Sequence, residues 1–225
     1  MTDSPDIRTS KKLSWILRHG ASQAGLAMRP DGSVLLADLL QVKDFRGVGR
    51  GRILESVAQC PKQRFAVFTE NGEERIRANQ GHSLPEIAAD QLLVEVRDAA
   101  AIPVCLHGTY AKFLPQIEKQ GLSRMSRQHI HFATGLPREV KSGMRHNCDT
   151  LIFIDVAKAM ADGCRFFRSA NDVILSPGFD GVIPVEYFSS VQSLDYYLLD
   201  CSGQRVGQRL VIYTTLRILG LDNLC

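Results

Sequence analysis

Apolar residues recur along this chain first at helical spacing and then at extended spacing, and the change predicts two regions. Leu13, Ile16 and Leu17 follow Ser10, a residue type that caps helix starts, and Gly20 offers a stop. The helix so predicted closes on Arg18 and His19, where cations interact favourably with the helix dipole without any further role. Asp31-Gly32 marks a turn before Leu35 to Leu40, an apolar run that reads as a strand entering a helix. Ile53, Leu54, Val57 and Ala58 share one helical face between Gly51 and Cys60, and Pro61 ends it. RFAVF and RIRA flank ENGEE, with Asn71-Gly72 as a β-hairpin turn. Helices followed by a charged hairpin predict a winged-helix-like unit over residues 1–90, and the polar stretch from Arg77 through Pro85 leads out of it.

From Leu92 the runs shorten. LLVEV reads as a strand, and IPVCL as another ending at His107-Gly108-Thr109. Thr109 is a candidate cap for a helix through Lys119, with Phe113, Leu114 and Ile117 inward and Gly121 as its stop. The strand RQHIHFA follows, then a loop, the buried strand LIFIDV, the helix AKAMADG with Gly163 as its stop, and a strand around Val173 to Leu175. Many short strands with few helices make residues 91–190 an α+β domain. Residues 191–225 carry LDYYLLD and RLVIYTTLRIL, apolar enough to pack but without assignable chemistry. Truncation after Ser190 is expected to leave activity.

The chain has 225 residues, 44% of them hydrophobic, enough for a core in each region. No apolar run reaches the roughly 18 residues of a membrane-spanning helix, and MTDSPDIRTSKK is polar where a secretory signal would be apolar. A soluble intracellular monomer, cytoplasmic or nuclear and without a membrane partner, is expected. Six cysteines without CxxC spacing read as reduced thiols. The net charge of +3 is too mild to announce a nucleic-acid binder. Arg46, Arg50, Arg52, Lys62, Arg64, Arg75 and Arg77 concentrate in one segment, but Glu70, Glu73 and Glu74 lie there too. That segment reads either as a solvated face or as a surface for a polyanion.

Candidate chemistry centres on RQHIHFA. In an extended chain His129 and His131 share one face while Ile130 and Phe132 take the other. The strand is either a surface strand with two solvated histidines or a ligand site. A third histidine at a strand end, His107, an arginine at Arg127 and a loop rich in Gly, Ser and Arg favour the site. His19, His82 and His146 lie at element ends or in polar loops. Three histidines would suffice for catalytic zinc, but paired cysteines and HExxH spacing are missing, so no metal is expected. GxGxxG and P-loop motifs are missing as well, so a dinucleotide would have to be held in another way.

The strings LSWILRHGA, DGSVLLADLL, KQRFAV, IRANQGHS, HGTY, GLSRMSRQHIHFA, SGMR, FFRSANDVIL and PVEYF run from about residue 12 to 188. In that order they resemble the NAD-dependent RNA 2′-phosphotransferase family, whose members take the 2′-phosphate from a tRNA splice junction. The resemblance implies a winged-helix-like RNA lobe joined to an NAD lobe of the ADP-ribosyltransferase fold. It implies NAD as a consumed co-substrate and RNA with an internal 2′-phosphate as partner. The family's catalytic set falls on Arg18, His19, Arg64 and Arg127, and guanidinium forks match phosphate oxygens. NAD contacts fall on His107, Gly108, Thr109, Tyr110, His129 and His131, with Ser142, Gly143, Arg145, Ser169 and Asn171 as further candidates. For these last loop residues an ordinary Gly/Ser loop and an Asx turn are the alternative.

The implied reaction has two steps. The 2′-phosphate attacks C1″ of the NAD ribose as nicotinamide leaves, and O2″ then attacks phosphorus, releasing 2′-OH RNA and ADP-ribose 1″,2″-cyclic phosphate. Where many ADP-ribosyltransferases place a Glu, Val173 stands, and Asp172 is one residue off and on the other face. A phosphate nucleophile needs no general base, so the loss matters little for this acceptor. Two other functions use the same features: an ADP-ribosyltransferase that caps terminal phosphates of nucleic acid, and a non-catalytic RNA- or ADP-ribose-binding module.

Overall fold

The computed structural model describes residues 5–84, 87–88, 92–137, 139–140, 142–145, 147–195 and 209–211. Pro85, His146, Cys201, Cys225 and most of the tail motifs singled out above lie outside them. The chain divides into two compact units. The first comprises Met1–Val94 with Ser126–Gln128 and Ser169–Asn171; the second comprises Glu95–Met125, His129–Arg168 and Asp172–Cys225.

In the first unit α1 spans Pro5–Trp15 and continues into a π-helical turn, Ile16–Gly20. The helix starts at Pro5, whose fixed φ suits a first helical position, so Ser10 lies inside it and is not its cap. β1 (Val34–Leu35) feeds α2 (Leu36–Gln41), as the sequence suggests, and α3 spans Arg50–Ala58. On α3 the buried residues are Ile53 and Ser56, whereas Ala58 is exposed. The hairpin is β2 (Phe65–Glu70) and β3 (Glu73–Ala78), antiparallel from Phe65 opposite Ala78 to Glu70 opposite Glu73. Asn71 and Gly72 take φ of 52° and 81°, the paired positive values of a type I′ turn. β1 adds to β3, giving the order β1-β3-β2. Leu13, Leu17, Leu39, Phe45, Ile53 and Ile76 are inaccessible to solvent and form the centre of this core.

Three cations of the basic segment are ion-paired: Arg50 with Glu74 at 2.6 Å, Arg75 with Glu73 at 3.4 Å and Arg77 with Asp31 at 3.7 Å. For Arg50 and Arg75 the partner is an acid of the same segment, and for Arg77 it is Asp31 outside it; the pairing of Arg50 and Arg77 agrees with a solvated face. Arg75 is itself buried.

The second unit is built on two four-stranded sheets. One has the order β4-β9-β10-β7, from Val94–Val96, Phe166–Arg168, Ile174–Ser176 and Ile130–Phe132. The other has the order β13-β12-β8-β5, from Arg209–Val211, Phe188–Asp195, Thr150–Ile154 and Leu106–Thr109. β6 (Leu122–Ser123) and β11 (Val182–Ile183) form a separate pair. Phe132, Phe166 and Ile174 of the first sheet join Ile152, Ile154 and Val191 of the second in one core. Leu106, Leu151 and Leu194 pack in a smaller cluster. Leu151 and Ile152, on opposite faces of β8, thus belong to different clusters, which is why LIFI is a continuous apolar run.

Several expectations change here. Ile102 to Cys105 is not strand, and β5 instead contains His107, Gly108 and Thr109. Thr109 is buried in that strand and does not cap; the Asp149 carboxylate accepts from the Ala111 amide at 2.7 Å instead. A 3-10 turn, Ala111–Phe113, precedes α4 (Leu114–Gln120), and Phe113 is exposed. Gly121 does end α4, at φ 76°, where an added Cβ would lie 2.5 Å from the Ile183 carbonyl. α5 is Val156–Ala161, with its first turn capped by Asp155. Among the described residues no helix is long and apolar enough to cross a membrane.

β12 crosses the boundary drawn at residue 190. Val191, Gln192 and Ser193 pair with Ile152, Leu151 and Thr150 of β8, and Val191 and Leu194 are buried. Burial of such side chains stabilises by about 1.5–3 kcal/mol each, a large share of an ordinary domain's stability. Deletion after Ser190, expected from the sequence to be harmless, should therefore unfold the second unit. Loss of the cooperative thermal transition of that unit is the expected result, and an unchanged melting profile would contradict it.

Candidate active site

The residues nominated from the sequence fall into two groups. Arg18, His19, Arg64 and Arg127 all belong to the first unit, the last through the tripeptide Ser126–Gln128.

The turn that carries Arg18 and His19 is wider than an α-helix, a feature that often accompanies functional sites. Ile16, Leu17 and Gly20 of this turn are buried, whereas Arg18 and His19 are half-buried. Gly20 is not a left-handed stop, since the chain remains right-handed into Ala21. Its lack of a side chain provides space: a Cβ there would lie 2.3–2.7 Å from the benzo ring of Trp15. Ser83 fastens the turn. Its amide donates to the Arg18 carbonyl at 3.0 Å, and its Oγ lies 2.8 Å from His19 Nδ1. When the Ser83 hydroxyl donates to that same carbonyl, 3.5 Å away, it accepts from Nδ1–H and leaves the Nε2 lone pair of a neutral imidazole for a ligand.

Arg64 directly precedes β2, and its carbonyl accepts from the Asn79 amide at 2.9 Å. Its guanidinium donates to the Cys60 thiol at 3.6 Å. Arg127 is positioned by its neighbour Gln128. The Gln128 amide donates to the His82 carbonyl at 3.2 Å, and its side chain donates to the carbonyls of Leu84 and Ile87 at 2.7 and 3.0 Å.

Burial, then the positive charges of Arg127 and Arg64, bring the Arg18 guanidinium down to about 10. Burial, then Arg18 and Arg127, hold His19 below its ordinary value. Burial and Arg64 lower Lys62 as well. Among the described residues no carboxylate is among the charges acting on these groups. The buried Nε of Arg18 has no hydrogen-bond partner among the described residues, and an unmet buried donor typically costs about 1–3 kcal/mol. Convergent cations and a donor without an acceptor favour an anion, and guanidinium forks fit phosphate. A cleft of about 610 Å³ opens beside them, between α1 and α3, lined among others by Lys11, Trp15, Cys60 and Arg64.

The second unit holds His107, Gly108, Thr109, Tyr110, His129, His131, Ser142, Gly143 and Arg145. His129 and His131 are buried on the way into and within β7, together with Ile130 and Phe132, so the solvated surface strand is excluded. His107 Nδ1 donates to the His131 carbonyl at 2.9 Å, and His131 Nδ1 to the His129 carbonyl at 3.1 Å. Each neutral ring is thereby fixed with Nε2 as the acceptor. At Gly108 a Cβ would lie 2.8 Å from Cys148 Sγ, and at Gly143, with φ 98°, 2.8 Å from the backbone of Phe132 and Ala133. Both glycines are needed for close backbone approach. Tyr110 donates to Asn147 Oδ1 at 2.8 Å, and the Arg145 guanidinium lies 5.7 Å from its ring centroid.

Ser169 and Asn171 do not join this group. They belong to the first unit, where Ser169 donates to Asn171 Oδ1 at 2.9 Å and Asn171 donates to the Lys62 carbonyl at 2.9 Å. Asp172 takes φ 60°, pairs with Arg168 and accepts from Thr134, whereas Val173 is fully buried. Ser83, Gln128 and Asn147 were not selected from the sequence. Ser83 lies 64 residues from His19, and no spacing rule links a loop serine to a helix end at that distance.

Residues 4–178 match the RNA 2′-phosphotransferase, Tpt1 / KptA family. The chain is 45% identical to tRNA 2′-phosphotransferase 1 of Danio rerio, covering 85% of this chain and 88% of the relative. It is 44% identical to tRNA 2′-phosphotransferase 1 of Homo sapiens, over 84% and 76%. A probable RNA 2′-phosphotransferase of Rhizobium leguminosarum is 33% identical, over 82% and 94%. A mixed α and β chain with clustered guanidiniums beside a histidine thus matches a family of phosphotransferases. The chain belongs to the RNA 2′-phosphotransferase family.

A histidine held neutral contributes stability above its unfolded pKa, and that contribution is lost as pH falls through the lowered folded value. His19 should titrate below about 6.5 by NMR, and Arg127→Leu should move its midpoint up. An unmoved midpoint would remove Arg127 from its neighbourhood.

Proposed function

We propose that this protein transfers the internal 2′-phosphate of RNA, such as a tRNA splice junction, to NAD. The observation that carries the reading is the group of Arg18, His19, Arg64 and Arg127 in one unit, with the buried Arg18 Nε lacking an acceptor among the described residues. The family match and the names of the relatives support the phosphate and the RNA. The first unit, read as a winged-helix-like lobe, takes the RNA; the second, read as an ADP-ribosyltransferase-like lobe, takes NAD. His107, Gly108, Thr109, Tyr110, His129 and His131 with Ser142, Gly143 and Arg145 are the residues for NAD. Carbonyl-bonded His107 and His131, buried His129 and close-packed glycines suit a nucleotide held against backbone.

A 2′-phosphate oxygen forms a bond to C1″ of the NAD ribose while the bond to nicotinamide breaks and its electron pair leaves with that ring. O2″ then gives up its proton and bonds to phosphorus as the P–O2′ bond breaks. The RNA oxygen gains a proton and becomes a 2′-OH, and ADP-ribose 1″,2″-cyclic phosphate departs. The guanidiniums grip and aim an anion that is already a competent nucleophile, so rate comes from positioning and charge stabilisation. Burial of Val173 where a Glu would serve a hydroxyl acceptor is consistent with this.

Purified protein, NAD and a short RNA with one internal 2′-phosphate should yield 2′-OH RNA and the cyclic phosphate. Modified RNA accumulating without cyclic phosphate would indicate an ADP-ribosyltransferase that caps phosphates, and binding without turnover a non-catalytic module. Arg64→Ala and Arg127→Ala should each lower turnover by about a hundredfold or more with the fold intact by circular dichroism. Near-normal turnover in either would reject the phosphate-gripping assignment.

A further inference from the structure

The cleft beside Arg18 and His19 contains a feature that phosphate binding does not require: Trp15, the single tryptophan of the chain, is 46% exposed there. We propose that Trp15 is a stacking platform for the nucleobase of the nucleotide whose 2′-phosphate the arginines hold. The inference rests on the function proposed above.

Three observations carry it. Trp15 precedes Arg18 by three residues and His19 by four on a continuous right-handed helical path. All three side chains line the same cleft and lie within one π-helical turn of one another. That interval suits a base and the phosphate on its own ribose better than a base one nucleotide away. Second, the indole has a dedicated seat. Gly20 lies five residues on, one π-helical turn, and its missing side chain is what lets the benzo ring rest against the backbone. An aromatic ring fixed in this way loses little side-chain freedom when a ligand covers its exposed part. Third, the cleft supplies what a nucleotide needs around the ring. Lys11 and Arg64 provide positive charge, and Ser10, Ser14 and Gln59 provide hydrogen-bonding groups. Cationic grooves with an exposed aromatic are the usual site for an unpaired base, and stacking tolerates any base because every base has a π-face.

Trp15 is thus a positioning residue. It fixes the ribose so that the 2′-phosphate meets Arg18, and it favours an unstacked, single-stranded nucleotide over one inside a helix.

The single tryptophan makes the test direct. With NAD omitted, full-length protein is titrated with a short RNA carrying one internal 2′-phosphate, and with the same RNA bearing a 1-deoxyribose analogue in place of that nucleoside's base. Emission should be quenched by the first and unchanged by the second. Trp15→Phe should bind the intact RNA within about threefold of the native protein, and Trp15→Leu about tenfold more weakly. On the base-less RNA Trp15→Leu should cost nothing further.

Unchanged emission at saturating RNA would overturn the proposal. So would equal weakening of both RNAs by Trp15→Leu, which marks a merely structural role, or a quench that survives removal of this base and disappears on removal of a neighbour's. Turnover with NAD separates the two readings. Transfer without quenching defeats stacking alone, and quenching without transfer defeats the two-step reaction while the platform stands.

Discussion

Mutual repulsion of cations is the constraint around which the first unit is arranged. Arg18, His19, Arg64 and Arg127 lie close enough for Arg64 and Arg127 to depress Arg18, and for Arg18 and Arg127 to depress His19. Like charges brought together at reduced solvation are unfavourable unless an opposite charge relieves them. The protein supplies acids elsewhere in the same unit, where Glu73, Glu74 and Asp31 answer Arg75, Arg50 and Arg77. Among the described residues it supplies none among the charges acting on Arg18. Rigid supports hold the arrangement: a π turn fastened by Ser83, a strand start bonded to Asn79, and a tripeptide tied by Gln128 to three carbonyls. On the function proposed above, an arriving phosphate would meet donors already held in place, the condition for strong electrostatic stabilisation.

The second unit sets imidazoles against backbone carbonyls, with His129 and His131 buried and His107 half-buried. His107 and His131 each donate Nδ1–H to a backbone carbonyl of the 129–131 segment, so that segment orients both the β5 ring and its own. His129 packs edge-on to Phe167 with centroids 5.7 Å apart. Glycines at 108 and 143 let neighbouring segments approach the same strands. In their neutral form the carbonyl-bonded rings of His107 and His131 carry the Nδ1–H tautomer.

Much of this was legible in the sequence where a local rule acts. The Asn71-Gly72 hairpin, the strand-to-helix passage at Leu36, and the doubly buried strand at Leu151 follow from turn chemistry and periodicity. Helix starts were misjudged where a local signal had a competitor. Ser10 resembles a cap, but Pro5 begins the helix; Thr109 resembles a cap, but its strand retains it and Asp149 caps from 38 residues away. The arginine set was accessible only through the family strings, because no spacing rule joins residues 18, 64 and 127. Ser169 and Asn171 sit in one string with strand residues of the second unit, yet they fold with the first. At residue 190 the motif resemblance ends, whereas the pairing of β12 with β8 continues.

The central claim, that the arginine set exists to hold a phosphate, is tested most directly by following the 31P resonance of a 2′-phosphorylated RNA across pH, free and bound, without NAD. Guanidiniums gripping the dianion should lower its second pKa well below the ordinary value of about 6, and Arg127→Leu should reverse much of that shift. A bound phosphate titrating like the free RNA would contradict the account.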